Sequence, residues 1–453
     1  REPVACKGNM SQMRQAGELM PTSLRGIANK AGSDKHHRFR NLFGLLTVAF
    51  LLSCWERVNK KAASGVDRVS ARSYAKDLVD NVRDLWDRVK RCSYRAKLVR
   101  RCHIPKEGGK TRPLGIPAVE DKLLQTAVSR ILNAIYEPMF LPCSWAYRLG
   151  RNAREAVRTL TQELQFGCYG YIVEIDIKGF FDRIDHDKLL EMLELRIDDR
   201  LFLRLIRKWL KAGVLEEGGK VIHPDTGCPQ GSGISPVLAN IYLHYVLDLW
   251  FQEVVKPRCK VRAFMCRYAD DVVFAFQWQE EADRFLRVLP KRLAKYGLEL
   301  SVEKSRLVRF SRFQLGKSSE RFDFLGFEFR WVVDRKGVPR VTRRTSRKRL
   351  RVSLARVTEW LKAERHLPVR QLVEALNARL RGHYNYYGLM GNYRSLWALF
   401  YQVTRLLKKW LGRRSQKSRM TWEKFSALLK RFPLEKPRIT EIRHRQMVLD
   451  GVC

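Results

Sequence analysis

Two adjacent carboxylates, Asp270 and Asp271, stand between apolar runs, and a third acid, Asp176, lies far upstream. Residues 264–266 before the pair and 272–276 after it predict two short buried strands, so the pair falls where a hairpin would turn. Carboxylate oxygens are the ligands that Mg²⁺ prefers, and two ions about 3.5–4 Å apart can activate a 3′-hydroxyl and stabilise departing pyrophosphate. The pattern therefore indicates nucleotidyl transfer.

An adjacent pair of aspartates is, taken alone, more often a turn or a helix cap than a metal site. The surroundings of Asp176 change that balance, because residues 170–177 predict a mostly buried strand with this acid near its end. An unpaired carboxylate is costly to bury, and a bound metal ion would remove the cost. We therefore expect the three acids to converge on one metal site.

The charge of the chain indicates a polyanionic partner. Its 453 residues contain 88 Lys and Arg against 47 Asp and Glu, which gives a net charge of +41. The basic residues run along most of the chain, and its most apolar stretch, residues 42–54, is too short to span a membrane. Nucleic acid therefore explains the charge better than a membrane does. The hydrophobic content of 45% is typical of compact units, for which this length allows about two to four.

The cysteines predict a reducing compartment. The ten cysteines form no Cys-x-x-Cys pair and have no histidine at zinc-binding spacing. The start of the sequence has no secretory signal, although it begins at Arg1 rather than at Met. We therefore expect reduced cysteines and a cytoplasmic location.

Turns and periodic segments predict the elements that would position the acids. Residues 101–117 indicate a hairpin with a Gly-Gly centre flanked by cations, and residues 227–233 indicate a turn that leads into a helix over 236–250. Helical spacing of apolar residues over 38–58 and a helix over 121–141 are also predicted. Further along, residues 340–351 are densely basic, and residues 352–411 have helical periodicity with interleaved Trp and Tyr. We expect that last region to be a separate helical domain.

Short motifs follow one another in a fixed order: Ile104-Pro105-Lys106, Arg112-Pro113-Leu114-Gly115-Ile116-Pro117, Asp176-Ile177-Lys178-Gly179-Phe180-Phe181, Pro229-Gln230-Gly231, Tyr268-Ala269-Asp270-Asp271 and Phe324-Leu325-Gly326-Phe327. Each motif is weak alone, but their order and spacing together are specific. The chain resembles the group II intron-encoded reverse transcriptases, also called maturases, from roughly Leu24 to Ile442.

This resemblance implies an α+β fold of the right-hand polymerase type, with fingers, a palm that contains an antiparallel sheet, a helical thumb and a small basic C-terminal region. It predicts a basic N-terminal extension over 1–38, a fingers and palm reverse transcriptase domain over 39–336, a helical thumb (maturase, X-like) domain over 337–410, and a basic, DNA-binding-like region over 411–453. Nothing after Val448 has the pattern of a His-Asn-His or cysteine-pair endonuclease. The chain therefore resembles bacterial members that lack this domain.

The resemblance also implies roles for residues around the acids. Asp176, Asp270 and Asp271 would bind two Mg²⁺ ions, with the backbone carbonyl of Ile177 as a further ligand. Lys304 would protonate the departing pyrophosphate. The segment around Lys304 lacks the Asn-Pro pair that usually precedes Glu-Lys in the family, so a plain surface lysine is the alternative.

Four further residues would contact the incoming nucleotide. Lys106 and Arg112 would neutralise the triphosphate, since guanidinium and ammonium groups both bind phosphate. Phe181 would exclude a 2′-hydroxyl by its bulk, and Gln230 would lie near the sugar and the templating pair. The structural alternatives are a solvated basic hairpin for the two cations, core packing for Phe181 and plain turn chemistry for Gln230.

Other cations would contact nucleic acid. Arg148 and Arg151 lie in a segment that departs from the commoner Gly-Phe-Arg-Pro-Gly form, and they would contact the template. Basic residues at the start of the thumb would contact phosphates: Arg343, Arg344, Arg347, Lys348, Arg349 and Arg351. Most thumb aromatics are expected to pack a helical core.

The expected function is an RNA-directed DNA polymerase that also binds its group II intron RNA and promotes splicing and retrohoming. Its partners would be that intron RNA, an RNA template with a DNA primer, target DNA and dNTPs. Two alternatives stay open: a related reverse transcriptase domesticated for phage defence or DNA repair, and an RNA-binding splicing factor with a vestigial polymerase. The bulk of Phe181 argues against an RNA-dependent RNA polymerase.

Overall fold

The computed structural model describes residues 22–105, 111–313, 320–414 and 420–441. These residues divide into two compact units. The first, which we call the hairpin unit, comprises the residues up to Asn152 together with Val173–Leu307. The second, the helical unit, comprises Ala153–Ile172 together with the residues from Val308 onward. Lys106, predicted to bind the nucleotide, lies outside the described residues.

The described elements are numbered in chain order. The helices are α1 (Thr22–Ser33), α2 (Val48–Trp55), α3 (Ala71–Tyr74), α4 (Leu78–Lys90), α5 (Val119–Tyr136), α6 (Ala153–Phe166), α7 (His186–Glu194), α8 (Arg200–Leu210), α9 (Ser235–Leu243), α10 (Gln279–Ala294), α11 (Arg347–Glu364), α12 (Val369–Tyr387), α13 (Tyr393–Leu411) and α14 (Trp422–Arg431). The strands are β1 (Val99–Pro105), β2 (Thr111–Ile116), β3 (Tyr171–Asp176), β4 (Val214–Leu215), β5 (Val221–Ile222), β6 (Phe264–Tyr268), β7 (Asp271–Phe276), β8 (Arg306–Arg309), β9 (Phe322–Phe324), β10 (Phe327–Val333) and β11 (Pro339–Thr345).

Two four-stranded sheets have the orders β2-β1-β4-β5 and β6-β7-β3-β8. The chain passes between the two units within β3 and within β8. Strands β1 and β2 are antiparallel with Pro105 opposite Thr111, which confirms the hairpin predicted over 101–117. Strands β6 and β7 are also antiparallel, with Tyr268 opposite Asp271. The hairpin predicted around the adjacent acids is therefore confirmed.

Helix α5 forms the centre of the hairpin unit. It is apolar on nearly all sides, and Leu123, Leu124 and Val128 are fully buried. A helix of this kind must be covered all round, and α1, α2 and α9 pack against it. The sequence predicts this helix to reach residue 141, but it ends at Tyr136. Pro138 follows, and proline has no amide hydrogen with which to continue the helical hydrogen bonds.

Two other predicted helices are less regular than expected. The helical periodicity over residues 38–58 becomes a short 3-10 turn at Phe43–Leu45 followed by α2. Thr47 separates them, because its hydroxyl accepts a hydrogen bond from the amide of Phe50 and so caps α2. Helix α9 ends at Leu243, and wider π-helical turns follow at His244–Asp248 and Phe251–Val255.

The helical unit combines a sheet of order β11-β10-β9 with the helices α11 to α14. Leu361, Leu376, Leu399 and Phe425 come from these four helices and belong to one buried apolar cluster. Helices α11, α12 and α13 are present over the stretch 352–411 that helical periodicity predicts, although the first half of the basic stretch 340–351 belongs to β11. Among the described helices, none is both long and apolar enough to cross a bilayer.

Candidate active site

The loop of the β6–β7 hairpin consists of Ala269 and Asp270. Ala269 has a φ of +56°, a left-handed conformation that disfavours residues with a Cβ atom. Its carbonyl accepts a hydrogen bond from Nη1 of Arg267 at 3.2 Å. A side chain from the hairpin itself therefore holds the turn that presents the two acids.

Arg267 is fully buried and forms an ion pair with Asp248, which is also fully buried. The two contacts are nearly parallel, with Nε to Oδ1 at 2.7 Å and Nη2 to Oδ2 at 2.5 Å. The remaining guanidinium hydrogens reach Asn240 Oδ1 at 3.2 Å and Ser144 Oγ at 2.7 Å. Burial opposes the charge, but Asp248 outweighs it and holds the pKa of Arg267 above its usual value. The geometry meets the demands of a buried charge pair, because its donors are paired.

The segment 143–151 is tied to the same strand. The amide of Arg267 donates to the carbonyl of Cys143 at 2.8 Å, and the amide of Trp145 donates to the carbonyl of Arg267 at 3.0 Å. Asn240, which also contacts Arg267, donates from Nδ2 to the carbonyl of Ala146 at 2.7 Å. The segment therefore lies along β6, next to the acid hairpin.

Within this segment, Arg148 and Arg151 are engaged with the protein. Arg148 is buried and pairs with Glu137 at 2.8 Å, and it also donates to the carbonyl of Ser144 at 2.9 Å. Arg151 donates to the carbonyl of Pro142 at 2.8 Å. Both arginines hold the backbone of the segment, and their contact with a template stays a prediction.

Tyr147 lies near the acid hairpin, and the motifs did not single it out. It has a φ of +57° and an exposed side chain. Partial burial raises the pKa of its hydroxyl, and the charges of Asp270 and Asp271 add to that effect while Arg112 opposes it. The ring therefore lies within electrostatic reach of both hairpin acids. The only sequence signal was its position, since it stands where the commoner form of the segment has Phe.

Asp176 ends β3, and β3 is hydrogen-bonded to β7 in the sheet. Asp176 and Asp271 therefore lie on neighbouring strands, and Asp270 lies in the loop that leads into β7. The segment that follows α10 supports Asp176 on both sides: the amide of Ser301 donates to the carbonyl of Asp176 at 2.8 Å, and the amide of Asp176 donates to Ser305 Oγ at 3.3 Å. Ile177 is buried and forms a backbone bridge to Leu300.

The structure brings Lys304 to this acid. Its Nζ lies 2.9 Å from Oδ2 of Asp176. The lysine side chain is 66% exposed, so the pair faces solvent and its ammonium group can move. The segment around Lys304 lacks the Asn-Pro pair of the family pattern, yet it places this lysine beside Asp176.

Arg112 and Gln230, both predicted to contact the nucleotide, also contact each other. Nε of Arg112 donates to Oε1 of Gln230 at 2.7 Å, and the amide of Gly115 donates to the carbonyl of Gln230 at 2.5 Å. Gly231 has a φ of +105°, and a Cβ atom there would lie 2.6 Å from the carbonyl oxygen of Gly115. Only glycine fits this close approach of the 229–231 turn to β2.

Phe181 lies on the buried side of a 3-10 turn at Phe180–Asp182, with 8% of its surface exposed. Its ring packs edge-on against Phe180 with centroids 5.4 Å apart, and its carbonyl accepts from the amide of Cys228 at 2.7 Å. The turn that carries Phe181 is thereby joined to the segment before Gln230. Core packing accounts for much of this ring, and its role at the sugar stays a prediction.

The turn at 229–231 rests on a polar interior. Ser232 Oγ donates to Gln125 Oε1 at 2.8 Å on the buried helix α5. One helical turn earlier, Asp121 is buried and accepts a hydrogen bond from the hydroxyl of Tyr94. Burial raises the pKa of Asp121 to about 7, although the Tyr94 hydrogen bond and the amide of Lys97 favour its charged form.

The acids have the chemistry that Mg²⁺ requires, since they offer hard oxygen ligands on neighbouring strands. In the described part of the chain, no group of three or more His, Cys, Asp or Glu side chains is arranged to hold a metal ion by itself. Proteins usually bind Mg²⁺ through one or two carboxylates together with substrate phosphates, so a cluster made of protein alone is not required. The residues therefore fit a metal that is completed by its substrate.

Two family comparisons cover most of this architecture. Residues 104–329 match the family described as reverse transcriptase (RNA-dependent DNA polymerase), and residues 350–428 match the group II intron maturase-specific domain. This chain belongs to the group II intron-encoded reverse transcriptase and maturase family. The first match contains the acid hairpin, Asp176, Lys304, Arg112 and Gln230.

Individual relatives agree with that family. The group II intron-encoded protein LtrA of Lactococcus lactis subsp. cremoris is 29% identical over 401 residues, which cover 70% of this chain and 65% of LtrA, just under two thirds of its length. Protein YkfC of Escherichia coli K12 is 32% identical over 283 residues, covering 55% of this chain and 74% of YkfC. An uncharacterized 91 kDa protein in the cob intron of Schizosaccharomyces pombe is 46% identical over 145 residues, covering 32% of this chain and 18% of that protein.

The six basic residues that were predicted to contact phosphates at the start of the thumb differ in exposure. Arg343 is buried, and its Nη2 lies 2.7 Å from each carboxylate oxygen of Glu441, while its Nη1 donates to Thr161 at 3.1 Å. Arg344 is half-buried. The exposed members lie in the first turns of α11: Arg347, Lys348, Arg349 and Arg351. Exposure favours the α11 group for phosphate contact, which remains a prediction.

Proposed function

We propose that this protein is an RNA-directed DNA polymerase that also binds a group II intron RNA. The observation that carries the proposal is the placement of Asp176 and the Asp270–Asp271 hairpin on hydrogen-bonded neighbouring strands, inside the reverse transcriptase match. In this proposal the hairpin unit supplies fingers and palm, and the helices of the helical unit supply the thumb.

The metal-binding residues in this proposal are Asp176, Asp270 and Asp271, with the backbone carbonyl of Ile177 as a further ligand. When bound there, two Mg²⁺ ions supply activation of a primer 3′-hydroxyl and stabilisation of the departing pyrophosphate. The ion pair between Arg267 and Asp248 keeps the acid-bearing turn in place from behind. Preorganised ligands of this kind need little rearrangement at the moment of reaction.

Arg112 and Gln230 act together on the nucleotide. Their contact uses Nε of Arg112, and the two terminal nitrogens are the ones that engage a phosphate bidentately. The close approach of Gly231 to Gly115 holds the backbone at Gln230. In this proposal the side-chain amide of Gln230 contacts the nucleotide sugar. Lys106 adds a second cation for the triphosphate, and Phe181 rejects a 2′-hydroxyl from the side of the 3-10 turn.

Lys304 carries the proton for the leaving group. Its Nζ lies 2.9 Å from Oδ2 of Asp176, so the side chain is held next to the acids. The flexible side chain then turns to the departing pyrophosphate and donates a proton to it. This role also explains why a largely exposed lysine is held at a catalytic carboxylate.

Binding of intron RNA, promotion of splicing and retrohoming rest on the maturase-specific match and on the net charge of +41. The partners in this proposal are the intron RNA, an RNA template with its DNA primer, a DNA target and dNTPs. The contacts between Lys304 and Asp176 and between Arg112 and Gln230 weigh against a vestigial polymerase, because a decayed site would not keep them paired.

Primer extension tests the polymerase directly. The wild-type protein, given an RNA template, an annealed DNA primer, dNTPs and Mg²⁺, is expected to extend the primer, and Asp270→Asn is expected to abolish extension. The matched control is Asp80→Asn, which changes an acid that is 82% exposed on α4. Equal extension by the wild type and by Asp270→Asn would refute the assignment.

A further inference from the structure

Helix α13 carries a line of exposed aromatic side chains. Tyr393, Trp397 and Tyr401 are 48%, 47% and 55% exposed, and their spacing of four residues places them on one face of the helix. The residues that α13 buries, such as Leu396 and Val403, face the apolar cluster of the helical unit. A row of large aromatic side chains exposed to solvent is uncommon on a soluble surface and marks a binding site for a ligand or a macromolecule.

The charge of α13 indicates what this ring stripe (Tyr393, Trp397 and Tyr401) would bind. The helix has no Asp or Glu, whereas it contains four basic residues: Arg394, Arg405, Lys408 and Lys409. The guanidinium of Arg405 lies 5.8 Å from the ring of Tyr401, and the rings of Tyr393 and Trp397 are nearly parallel with centroids 6.3 Å apart. Flat faces beside cations suit a ligand that combines flat bases with phosphates.

A group of three arginines lies at the start of the same stripe. On the β10–β11 ladder, Arg330 is opposite Thr342 and Arg344 is opposite Glu328, so the two arginines are diagonal neighbours on one face of the sheet. Arg394 follows Tyr393 at the beginning of α13. Partial burial lowers the pKa of Arg344, the charges of Arg330 and Arg394 lower it further, and the carboxylate of Glu328 opposes them only in part.

Hydrogen bonds join the backbone segments that carry this arginine cluster (Arg330, Arg344 and Arg394), but they leave two of its side-chain donors without a partner among the described residues. The amide of Thr345 donates to Asn392 Oδ1 at 2.8 Å, and Asn392 Nδ2 donates to Thr345 Oγ1 at 2.9 Å, which joins the end of β11 to the start of α13. In contrast, Nε of Arg330 and Nε of Arg344 are buried and have no hydrogen-bond partner among the described residues. Buried donors without a partner, in a group where three arginines outnumber the one carboxylate of Glu328, favour the binding of an anion.

We propose that the arginine cluster and the ring stripe form one binding site for an unpaired segment of RNA. The cluster holds a phosphate, and successive bases stack on the rings along α13. Bases offer their faces to side chains only where they are unpaired, so a duplex would not use the stripe. The choice of RNA rests on the proposed function, since the match to the maturase-specific domain covers α13.

The test measures binding of a short, unstructured RNA oligonucleotide that contains 2-aminopurine, by fluorescence anisotropy and base fluorescence, with the full-length protein. Trp397→Ala is expected to weaken binding about fivefold or more and to abolish quenching of the base, because the base no longer has that ring to stack on. Trp397→Phe keeps a ring and should restore most of the affinity. The matched control is Trp278→Ala, in the hairpin unit, where the side chain is 48% exposed.

The cations have a different signature. Arg394→Gln is expected to reduce the slope of log affinity against log salt by about 0.7 for each phosphate that the side chain no longer neutralises, and Trp397→Ala should leave that slope unchanged. Arg287→Gln, an exposed arginine on α10, is the control for general loss of charge. Should Trp397→Ala fail to fold, Tyr401→Ala and the quenching of 2-aminopurine by the wild type carry the same test.

Two results would overturn the site. In one, Trp397→Ala and Tyr401→Ala bind the single strand as tightly as Trp278→Ala does. In the other, sedimentation shows that the rings hold two copies of the chain together while RNA affinity does not depend on them. Primer extension by the wild type is measured in parallel: ring-dependent RNA binding supports the site whether or not extension occurs, and ring-independent binding overturns it even if extension occurs.

Discussion

Both units of this protein contain an arginine that pairs with a carboxylate while both side chains are buried, and the pairs Arg267–Asp248 and Arg343–Glu441 serve different purposes. In the hairpin unit, Arg267 and Asp248 are both 0% exposed, and the arginine also reaches the strained carbonyl of Ala269. In the helical unit, Arg343 and Glu441 are 7% and 6% exposed, and the arginine joins the last described segment to β11 and α6. The Arg267–Asp248 pair holds the turn that carries Asp270, whereas the Arg343–Glu441 pair attaches the segment around Glu441 to β11.

The pKa values of the two arginines shift in opposite directions. Burial lowers the pKa of Arg343 despite Glu441, whereas Asp248 outweighs burial and raises the pKa of Arg267. The pair behind the acids is thus the better compensated of the two. A buried ion pair is weak evidence for stability, and its best use is to specify one arrangement. We infer that the Arg267 pair is kept for the position of the turn.

The largest effect is expected from Asp248→Asn. The substitution leaves the charge of Arg267 buried without its counter-ion, which costs on the order of 3–5 kcal/mol. The free energy of unfolding, measured with denaturant, should fall by about that amount, and primer extension per folded molecule should fall as well. Loss of stability with unchanged extension would show that the pair does not position the turn.

Glu441→Gln is expected to have a smaller effect on stability. Arg343 keeps its bond to Thr161 and lies closer to solvent than Arg267, so we expect a decrease of about 1–3 kcal/mol. The same denaturant titration measures it, and primer extension should fall less than in Asp248→Asn. A reversed order of the two decreases would contradict the comparison.

Asp121 is a buried carboxyl group of a third kind, because it is hydrogen-bonded to the hydroxyl of Tyr94 and not to an arginine. Its pKa is raised from 3.8 to about 7, so the folded state binds the proton more tightly than the unfolded state does. The stability that this proton provides is full below about pH 4 and is lost as the pH rises to about 7, at a rate of up to about 1.4 kcal/mol per pH unit.

The measurement compares thermal unfolding of the wild type and of Asp121→Asn between pH 4 and pH 8. The difference between the unfolding free energies of the two proteins should change between about pH 4 and pH 7 and become constant above about pH 7. A difference that is independent of pH would place the pKa of Asp121 near its ordinary value.

The smallest effect is expected from Ala269→Gly. Glycine adopts the positive φ of this position without strain, which offsets its greater freedom in the unfolded chain, so stability should change by less than about 1 kcal/mol. Primer extension should be less impaired than in Asp248→Asn, since Arg267 still bonds the carbonyl at position 269. An effect on extension as large as that of Asp248→Asn would make the conformation at position 269, rather than the ion pair, the decisive feature.

The sequence predicts what depends on neighbouring residues. Short apolar runs were enough to place the hairpin of β6 and β7, and a Gly-Gly centre flanked by cations was enough to place the hairpin of β1 and β2. Motif order was enough to select Asp176, Arg112 and Gln230 as candidates. Arg267 appeared only as the residue before Tyr268, because its partner Ser144 is 123 positions away and such a contact leaves no local pattern.

The helical unit teaches the same lesson. Helical periodicity predicts α11, α12 and α13, and most of their aromatics were expected in the core. Tyr384 of α12 is indeed buried, but Trp397 of α13 is half exposed. Periodicity alone could not separate these two rings, because the buried side of a helix is decided by the helices that pack on it.

Whether Asp176 shares a metal site with Asp270 and Asp271 is tested most directly by titrating Mn²⁺, as a spectroscopic substitute for Mg²⁺, into the protein with primer, template and a non-reactive dNTP analogue. Electron paramagnetic resonance measures the concentration of free Mn²⁺, and the bound Mn²⁺ is the difference from the total added. Asp176→Asn and Asp271→Asn should each weaken the same bound Mn²⁺, while Asp80→Asn should bind it as the wild type does. Unchanged binding in Asp176→Asn, with weakened binding in Asp271→Asn, would contradict a shared site.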